Sequence, residues 1–272
     1  MGKIVCAYAT SHVLFDPSPA PDRAARIVAG MQELGRRAAA TRPDVLLMIT
    51  NEHMFNINMR VQPPFSIGVS DDYEAYGDMG IPKRRFPGHS DFAMSLARFT
   101  ANAGFDLALC DGIRPDHGVT LPLLFIKPWG SVPAVPLYVN ANMTPPPSLS
   151  RCLALARAIR TFIAEERPAN ERVGVMASGG LSHWLNIPGT GNVAEEFDQE
   201  FIRRMAAGKY TDYTQLTMDK ILNQAGNGGL EIANWLMMAE IIPGARGEKI
   251  YYEPMPAWQT GLGGVSMHVA GG

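Results

Sequence analysis

The chain has 272 residues, of which 46% are hydrophobic and 18% are charged, a composition typical of a folded globular protein. Its 24 lysine and arginine residues nearly balance 26 aspartate and glutamate residues, and the formal net charge of −2 argues against a nucleic-acid or anionic-membrane partner. No apolar run approaches the roughly 20 residues that span a bilayer, and the pattern of a signal peptide is absent. Three scattered cysteines predict reduced core residues rather than a thiolate metal site, which favours a cytoplasmic protein.

Apolar runs of strand length alternate along the chain with segments of helical periodicity. In chain order, the sequence predicts strands at residues 3–9, 44–50, 106–110, 134–139, 173–177, 249–255 and 261–269. It predicts helices at residues 21–42, 89–103, 149–166, 193–207, 214–224 and 230–242. Residues 121–126 form a further apolar segment. Residues 55–88 lack clear periodicity and are predicted to be mostly loop, as in a segment that covers a site.

The first predicted strand, helix and second strand form a βαβ unit, which predicts a right-handed crossover and parallel pairing. No repeat, low-complexity tract or domain boundary interrupts the pattern. We therefore predict a single α/β domain over residues 1–272, with a central, mostly parallel or mixed sheet and helices on both faces. Its active site is predicted at the carboxyl ends of the strands, where open α/β sheets bind ligands.

Four of the six histidines follow a predicted strand. They are His12, His53, His117 and, after the small-residue turn Ser178-Gly179-Gly180, His183. Because the carboxyl ends of parallel strands share one edge of a sheet, we expect these imidazoles to lie together. Neutral imidazole is the commonest metal ligand, so the pattern indicates a metal site. A G-x-x-x-x-G-K-[ST] phosphate loop and a G-x-S-x-G nucleophile turn are both absent from the sequence.

Glu231 is the leading candidate for a carboxylate in this cluster. It lies at the start of a strongly apolar predicted helix, directly after Gly228-Gly229. An acidic side chain there either caps the helix N-terminus or is held by a cation. Two histidines and one carboxylate with open coordination positions form the facial triad of non-haem Fe(II) oxygenases.

Four short motifs in order resemble the class III extradiol ring-cleaving dioxygenases, most closely the group of the protocatechuate 4,5-dioxygenase β subunit. The motifs are Thr10-Ser11-His12, Asn51-Glu52-His53, Gly179-Gly180-Leu181-Ser182-His183 and Gly228-Gly229-Leu230-Glu231. Each motif is short, but their order and the length of the chain make the resemblance fairly specific, and it covers nearly the whole sequence.

The resemblance implies that His12, His53 and Glu231 bind Fe(II). It also implies that His183 is the catalytic acid and base, and that His117 lies beside the substrate and takes part in binding and catalysis. The implied reaction uses O2 to open a catechol-type ring beside its two hydroxyl groups rather than between them, as in the catabolism of aromatic compounds.

The sequence leaves two possible roles open for several other polar residues. Thr10 and Ser11 either hydrogen-bond a ring substituent of the substrate or cap the turn before His12. Residues 83–85, which read Lys-Arg-Arg, either form a solvated loop or pair with a substrate carboxylate. His89 and His268 match no role in the family and are predicted to be structural.

The protocatechuate enzymes cover their site with a separate small subunit, and no fused equivalent is present here. We therefore expect the cover to come from a small accessory subunit, a neighbouring copy in a homo-oligomer, or residues 55–88. Two other functions stay open on the sequence alone. One is a metal-dependent hydrolase, because histidines and a carboxylate also hold zinc with an open water site. The other is a non-catalytic binding member of the same superfamily.

Overall fold

Strands and helices alternate in a computed structural model that describes residues 2–57, 60–141 and 144–269. The strands are β1 (Lys3–Thr10), β2 (Val45–Thr50), β3 (Phe65–Gly68), β4 (Asp72–Glu74), β5 (Arg85–Pro87), β6 (Ala108–Cys110), β7 (Ala134–Val139), β8 (Arg172–Ser178), β9 (Gly247–Met255) and β10 (Thr260–Met267). The α-helices are α1 (Pro21–Ala40), α2 (Ser90–Asn102), α3 (His117–Leu124), α4 (Leu149–Glu165), α5 (Glu195–Ala206), α6 (Thr211–Thr214), α7 (Met218–Ala225) and α8 (Ile232–Ile241).

Eight strands form one mixed sheet in the order β6-β3-β7-β2-β8-β1-β10-β9. Its centre is parallel, because β8 pairs in parallel with both β1 and β2, and β2 pairs in parallel with β7. In register, Thr10 faces Ser178 and Thr50 faces Tyr138. The carboxyl ends of these four strands therefore meet at one edge, and the predicted fold class is confirmed.

The sheet is buried on both faces, which explains why its central strands are apolar without interruption. On β2, Val45, Leu47 and Ile49 belong to the core on one face, which contains residues of α2, α4, α5 and α8. The alternate residues Leu46 and Met48 belong to the core on the other face, beneath α1 and α3. Helix α1 contributes residues at helical spacing to that second core, so helices cover both faces as predicted.

Most of the described residues within 55–88 lie outside helices and strands, as predicted, but the stretch also contains three short strands that were not predicted. Strand β3 lies within this stretch, is fully buried, and pairs with β6 and β7 in the central sheet. Strands β4 and β5 form a separate antiparallel pair. A four-residue strand is too short to show a period of two, so its place in the sheet depends on pairing with distant segments.

Four other predicted segments differ in detail. Strand 106–110 is shortened to β6, and apolar residues 121–126 overlap helix α3. The helix predicted at residues 214–224 begins later, as α7, because Thr217 caps α7 by accepting a hydrogen bond from Lys220 N–H. Only residue 214 of the predicted range lies in α6. The helix predicted from residue 230 begins as a 3-10 turn, Gly228–Glu231, which continues into α8.

Among the residues that the structure describes, no helix combines the length and the apolarity needed to cross a membrane. All three cysteines are free, with Cys6 and Cys152 buried and Cys110 half-buried. This agrees with the prediction of reduced cysteines in or near the core.

Candidate active site

Three of the predicted histidines converge at the carboxyl edge of the sheet. His12 follows β1, His53 follows β2, and His117 is the first residue of α3. Their ring centroids lie 4.9 Å apart for His12 and His53, 5.0 Å for His12 and His117, and 4.1 Å for His53 and His117. Each ring offers one nitrogen to a group whose atoms lie within 4.8 Å of one another. Such a group can hold a metal ion.

Glu231 brings its carboxylate to the same point. Its Oε2 atom lies 3.4 Å from His12 Nε2, and its Oε1 atom lies 3.5 Å from His53 Nε2. The side chain is buried, makes no capping hydrogen bond to α8, and accepts a hydrogen bond of 2.5 Å from Gly180 N–H. The sequence left two roles open for Glu231, a helix cap or a ligand of a cation. The structure excludes the helix cap.

The second nitrogen of each imidazole is held by a neighbouring oxygen. His12 Nδ1 lies 2.9 Å from Ser178 Oγ, and His53 Nδ1 lies 3.0 Å from Asp116 Oδ2. The Nδ1 atom of His117 is hydrogen-bonded to Asp78 Oδ2. Because a carboxylate only accepts, Asp116 and Asp78 fix Nδ1 as the donor, and in the neutral form of their histidines this leaves Nε2 with its lone pair. Second contacts of this kind orient metal-ligating histidines.

The charges around the cluster favour a cation. Burial alone would lower the pKa of His53, but the carboxylates of Asp116 and Glu231 outweigh it and raise this pKa to about 10. Burial opposes ionisation of Glu231, yet His12 and His53 hold the pKa of its carboxyl well below the usual value. Burial and the charge of His53 lower the pKa of His117. A buried carboxylate facing imidazole nitrogens is the chemistry of a divalent metal site, so these donors fit one.

His183 packs into a narrow space formed by glycines. A Cβ atom on Gly180 would lie 2.2 Å from Cε1 of the ring, and one on Gly228 would lie 1.8 Å from Nε2. The ring Nδ1 is 3.0 Å from the carbonyl oxygen of Leu181. A carbonyl only accepts, so Nδ1 carries the proton and Nε2 is the nitrogen that can exchange one.

A buried network fixes the loop that carries His183. Asp198 accepts hydrogen bonds from Ser182 N–H at 2.8 Å, from Ser182 Oγ at 2.7 Å and from Tyr252 OH at 3.0 Å. Burial raises the pKa of Asp198 to about 7, although these hydrogen bonds act in the opposite direction. Asp198 therefore holds the residue directly before His183.

One cavity of about 930 Å³ joins these groups. His12, His53, His117, His183 and Glu231 all line it. The structure thus brings together the five residues that the sequence assigned to metal binding and to catalysis. A volume of this size lies in the upper part of the range for small-molecule pockets.

Thr10 and Ser11 are not among the residues that line the cavity. Thr10 Oγ1 lies 2.8 Å from Tyr251 OH, and Ser11 Oγ accepts a hydrogen bond of 3.0 Å from Gly263 N–H. These contacts favour a structural role in the turn before His12, and substrate binding by either residue stays a prediction.

The other sequence candidates lie outside the cavity. Residues 83–85 are exposed, and Arg85 pairs with Asp72 on the surface. His89 caps α2 by accepting a hydrogen bond from Phe92 N–H, which agrees with a structural role. His268 is exposed and follows β10, where its N–H donates to the carbonyl of Arg246.

The sequence did not reveal the carboxylates that hold His53, His117 and the loop of His183. Asp116 had a usable signal, because aspartate is a preferred N-cap and its Oδ1 accepts from Gly118 N–H at the start of α3. Asp78 and Asp198 had none, since each meets its partner through tertiary contacts.

The fold and the site define an α/β protein with a candidate metal centre of imidazole and carboxylate donors at the carboxyl edge of its sheet. Residues 7–263 match the family described as the catalytic LigB subunit of aromatic ring-opening dioxygenase. The chain belongs to this family, which confirms the resemblance to class III extradiol enzymes.

Two individual proteins to which the chain is similar are also described as dioxygenases. A 2,3-dihydroxyphenylpropionate/2,3-dihydroxicinnamic acid 1,2-dioxygenase of Klebsiella pneumoniae (strain 342) is 26% identical, over 85% of this chain and 87% of the relative. The enzyme with the same description from Escherichia coli (strain K12) is 27% identical over the same shares. The solved structure of the uncharacterized protein JW3007 from Escherichia coli K12 superposes with a TM-score of 0.61 at 16% identity. The superposition covers 97% of this chain and 100% of the JW3007 chain, and at this identity it shows the fold alone.

Proposed function

We propose that the protein is an Fe(II)-dependent extradiol dioxygenase, which uses O2 to open a catechol-type ring beside its two hydroxyl groups. The observation that carries this proposal is the position of Glu231, whose two carboxylate oxygens lie 3.4 Å and 3.5 Å from Nε2 of His12 and of His53. Two imidazoles and one carboxylate are the ligand set of non-haem Fe(II) oxygenases with open coordination positions.

His12, His53 and Glu231 would hold the metal. Ferrous iron held by these donors would supply the Lewis-acid and redox chemistry that joins O2 to the aromatic ring. The protein itself keeps the donors in place, through Ser178 on His12 and Asp116 on His53. His117 is the third imidazole of the cluster, and we assign it to the substrate rather than to the metal.

His183 is the acid and base of the proposed reaction. Its Nδ1 is bound to the carbonyl of Leu181, so its Nε2 can take a proton from a substrate hydroxyl and return it later. Its place in the wall of the same cavity as Glu231 supports this assignment.

Oxygen isotopes test the reaction. The protein is loaded anaerobically with Fe(II), a panel of catechols is added, and oxygen uptake is measured with ¹⁸O2. We expect uptake with at least one catechol and a ring-opened product that contains both ¹⁸O atoms. A hydrolase would consume no O2, and a non-catalytic binding protein would bind catechols without consuming O2, so either result would contradict the proposal.

The partners of the site are an aromatic substrate and O2. The expected cover from a homo-oligomer neighbour or a small accessory subunit stays a prediction. Size-exclusion chromatography with light scattering measures the number of chains directly.

A further inference from the structure

We call His12, His53, His117 and Glu231 the donor cluster. The outer part of the cavity is more exposed and more apolar than this cluster. His12 and Glu231 are buried, whereas four large apolar side chains that line the same cavity are between 38% and 60% exposed. We call these four the apolar rim: Phe15, Met54, Met79 and Leu185. They account for four of the seven large hydrophobic side chains that are exposed in the described part of the chain. Exposed apolar side chains grouped around a concave site mark a binding surface.

The backbone presents part of this rim in an unfavourable conformation. Met54 and Met79 have φ of +65° and +49°, in the left-handed region that side chains larger than glycine rarely adopt. In the described ranges, six non-glycine residues have positive φ, and four of them line this cavity. These four are Met54, Met79, Asn186 and Gln259. Such conformations persist where the surrounding structure imposes them, commonly at functional sites.

Each strained methionine follows a residue of the site. Met54 comes directly after His53, and Met79 comes directly after Asp78, which holds His117. The turns that place these site residues therefore also place thioether side chains at the rim. Methionine is flexible and polarisable, so it adapts to apolar groups of different shapes.

Charge gives the second, independent observation. Among the described residues, no lysine or arginine lines the cavity. The four internal residues outside the described part, Asn58, Met59, Asn142 and Met143, add no positive charge. Glu52 does line the cavity, and its carboxylate accepts hydrogen bonds from the backbone N–H groups of Met54, Phe55 and Asn56.

A carboxylate on the substrate would find no lysine or arginine at this rim, only uncharged donors such as the side-chain amides of Asn186 and Gln259. A buried charge without an opposite charge or a full set of hydrogen bonds is strongly disfavoured, and guanidinium groups are the usual partners of bound carboxylates. The relatives from Klebsiella pneumoniae and Escherichia coli are named for 2,3-dihydroxyphenylpropionate, a catechol that carries a carboxylate. The described residues that line the cavity offer that carboxylate neither a lysine nor an arginine.

We propose that the protein selects catechols with an uncharged, apolar substituent, which the apolar rim contacts while the two ring oxygens face the donor cluster. This inference rests on the proposed ring-cleaving function. The cavity of about 930 Å³ exceeds what a single ring needs and leaves room for the substituent.

Binding without turnover tests the substrate class separately from the reaction. The probes are 3-propylcatechol and 3-(2,3-dihydroxyphenyl)propanoate, in which a carboxylate replaces the terminal methyl group of the propyl chain. Calorimetry on the anaerobic, iron-loaded protein should show at least about tenfold tighter binding of 3-propylcatechol. Equal or tighter binding of the acid, or no binding of either probe, overturns the inference. Preferential binding of 3-propylcatechol without any oxygen uptake would support the inference and contradict the proposed reaction.

A charge introduced at the rim should reverse the preference. Leu185→Arg places a guanidinium group in the cavity wall, and we expect it to shift the affinity ratio toward the acid by about tenfold. Leu109→Arg is the matched control, because Leu109 is similarly exposed, at 51% against 45%, and lies on edge strand β6 outside the cavity. Its ratio should equal that of the unaltered protein. If Leu185→Arg changes the number of associated chains and leaves the ratio unchanged, the rim is a contact between chains and the inference is wrong.

Discussion

Gly228 lies directly against the imidazole of His183, so that a Cβ atom on this glycine would stand 1.8 Å from Nε2. Gly180 packs on the same ring, with its Cβ position 2.2 Å from Cε1. These two glycines leave the space that the ring occupies. The side chain at position 228 therefore controls access to the nitrogen that we assign to proton exchange.

Gly228→Ala should slow turnover while the metal site stays intact. The added methyl group must displace the ring of His183 or cover its Nε2. General acid–base groups contribute roughly 10²- to 10⁴-fold to rate, so we expect kcat to fall within that range. Steady-state oxygen uptake and iron content per chain measure the two effects.

Gly229→Ala is the control for this variant. It lies in the same 3-10 turn, but its Cβ would meet Ala225 Cβ, at 2.5 Å, instead of His183. Both variants strain the turn, and the loss of kcat should be much larger for Gly228→Ala. Equal losses would mean that turn strain, rather than the position of His183, limits activity.

Removal of single donors should separate metal binding from proton transfer. His12→Ala, His53→Ala and Glu231→Ala each delete one of the three proposed ligands, so iron retained after anaerobic loading and dialysis should fall. In His183→Ala the iron should stay and only kcat should fall. Unchanged iron content would remove a residue from the ligand set, and iron loss in His183→Ala would contradict its assigned role.

His117→Ala tests whether His117 contacts the substrate, as we propose, or binds the metal. The rings of His53 and His117 are only 4.1 Å apart, so three imidazoles compete with Glu231 for a place around the metal. We expect His117→Ala to keep its iron and to raise KM for catechols, because the anionic oxygens of Glu231 complete the ligand set. An iron loss as large as that of His12→Ala would add His117 to the ligands.

Asp116→Asn should weaken metal binding without direct contact to the metal. The variant loses the negative charge on His53 Nδ1, and loss of such a second contact typically costs 10- to 100-fold in metal affinity. Asparagine is as good an N-cap as aspartate, so α3 should stay folded. Chelator competition measures the affinity. Asp198→Asn alters an equally buried aspartate that contacts Ser182 instead, and its metal affinity should not change.

The centre of the fold could be predicted because its physics is local. Strands β1, β2 and β8 are continuous apolar runs followed by small or polar residues, and parallel pairing alone places His12, His53 and His183 at one edge. Strand β3 could not be predicted in the same way. Its four residues carry too little periodicity, and their burial depends on β6 and β7, which come much later in the chain.

The site, like the fold, could be predicted only in part from the sequence. From the sequence, Glu231 fitted both a helix cap and a cation ligand, because both need an acidic residue at a helix start. The missing capping hydrogen bond and the short distances to His12 and His53 favour the cation ligand, and these distances are tertiary contacts. Asp78 lies in a stretch without periodicity, and its contact with His117 could not be inferred before the chain was folded.

Asp198 gives the protein a pH dependence that does not involve the metal donors. Its pKa is about 7 in the folded chain, against an ordinary value of 3.8. The folded protein therefore binds this proton more tightly than the unfolded chain does. Its contribution to stability is complete below about pH 4 and is lost as the pH rises toward 7.

The free energy of unfolding should accordingly fall between about pH 4 and about pH 7 by up to about 1.4 kcal/mol per pH unit from this group. Asp198→Asn cannot ionise, so this part of the slope should disappear in the variant, whatever constant offset the lost hydrogen bonds to Ser182 and Tyr252 produce. Urea unfolding of both proteins at several pH values in this window measures the two slopes. Because the slope, not the offset, reports the ionisation, parallel profiles would show that the carboxyl of Asp198 is already ionised at acidic pH.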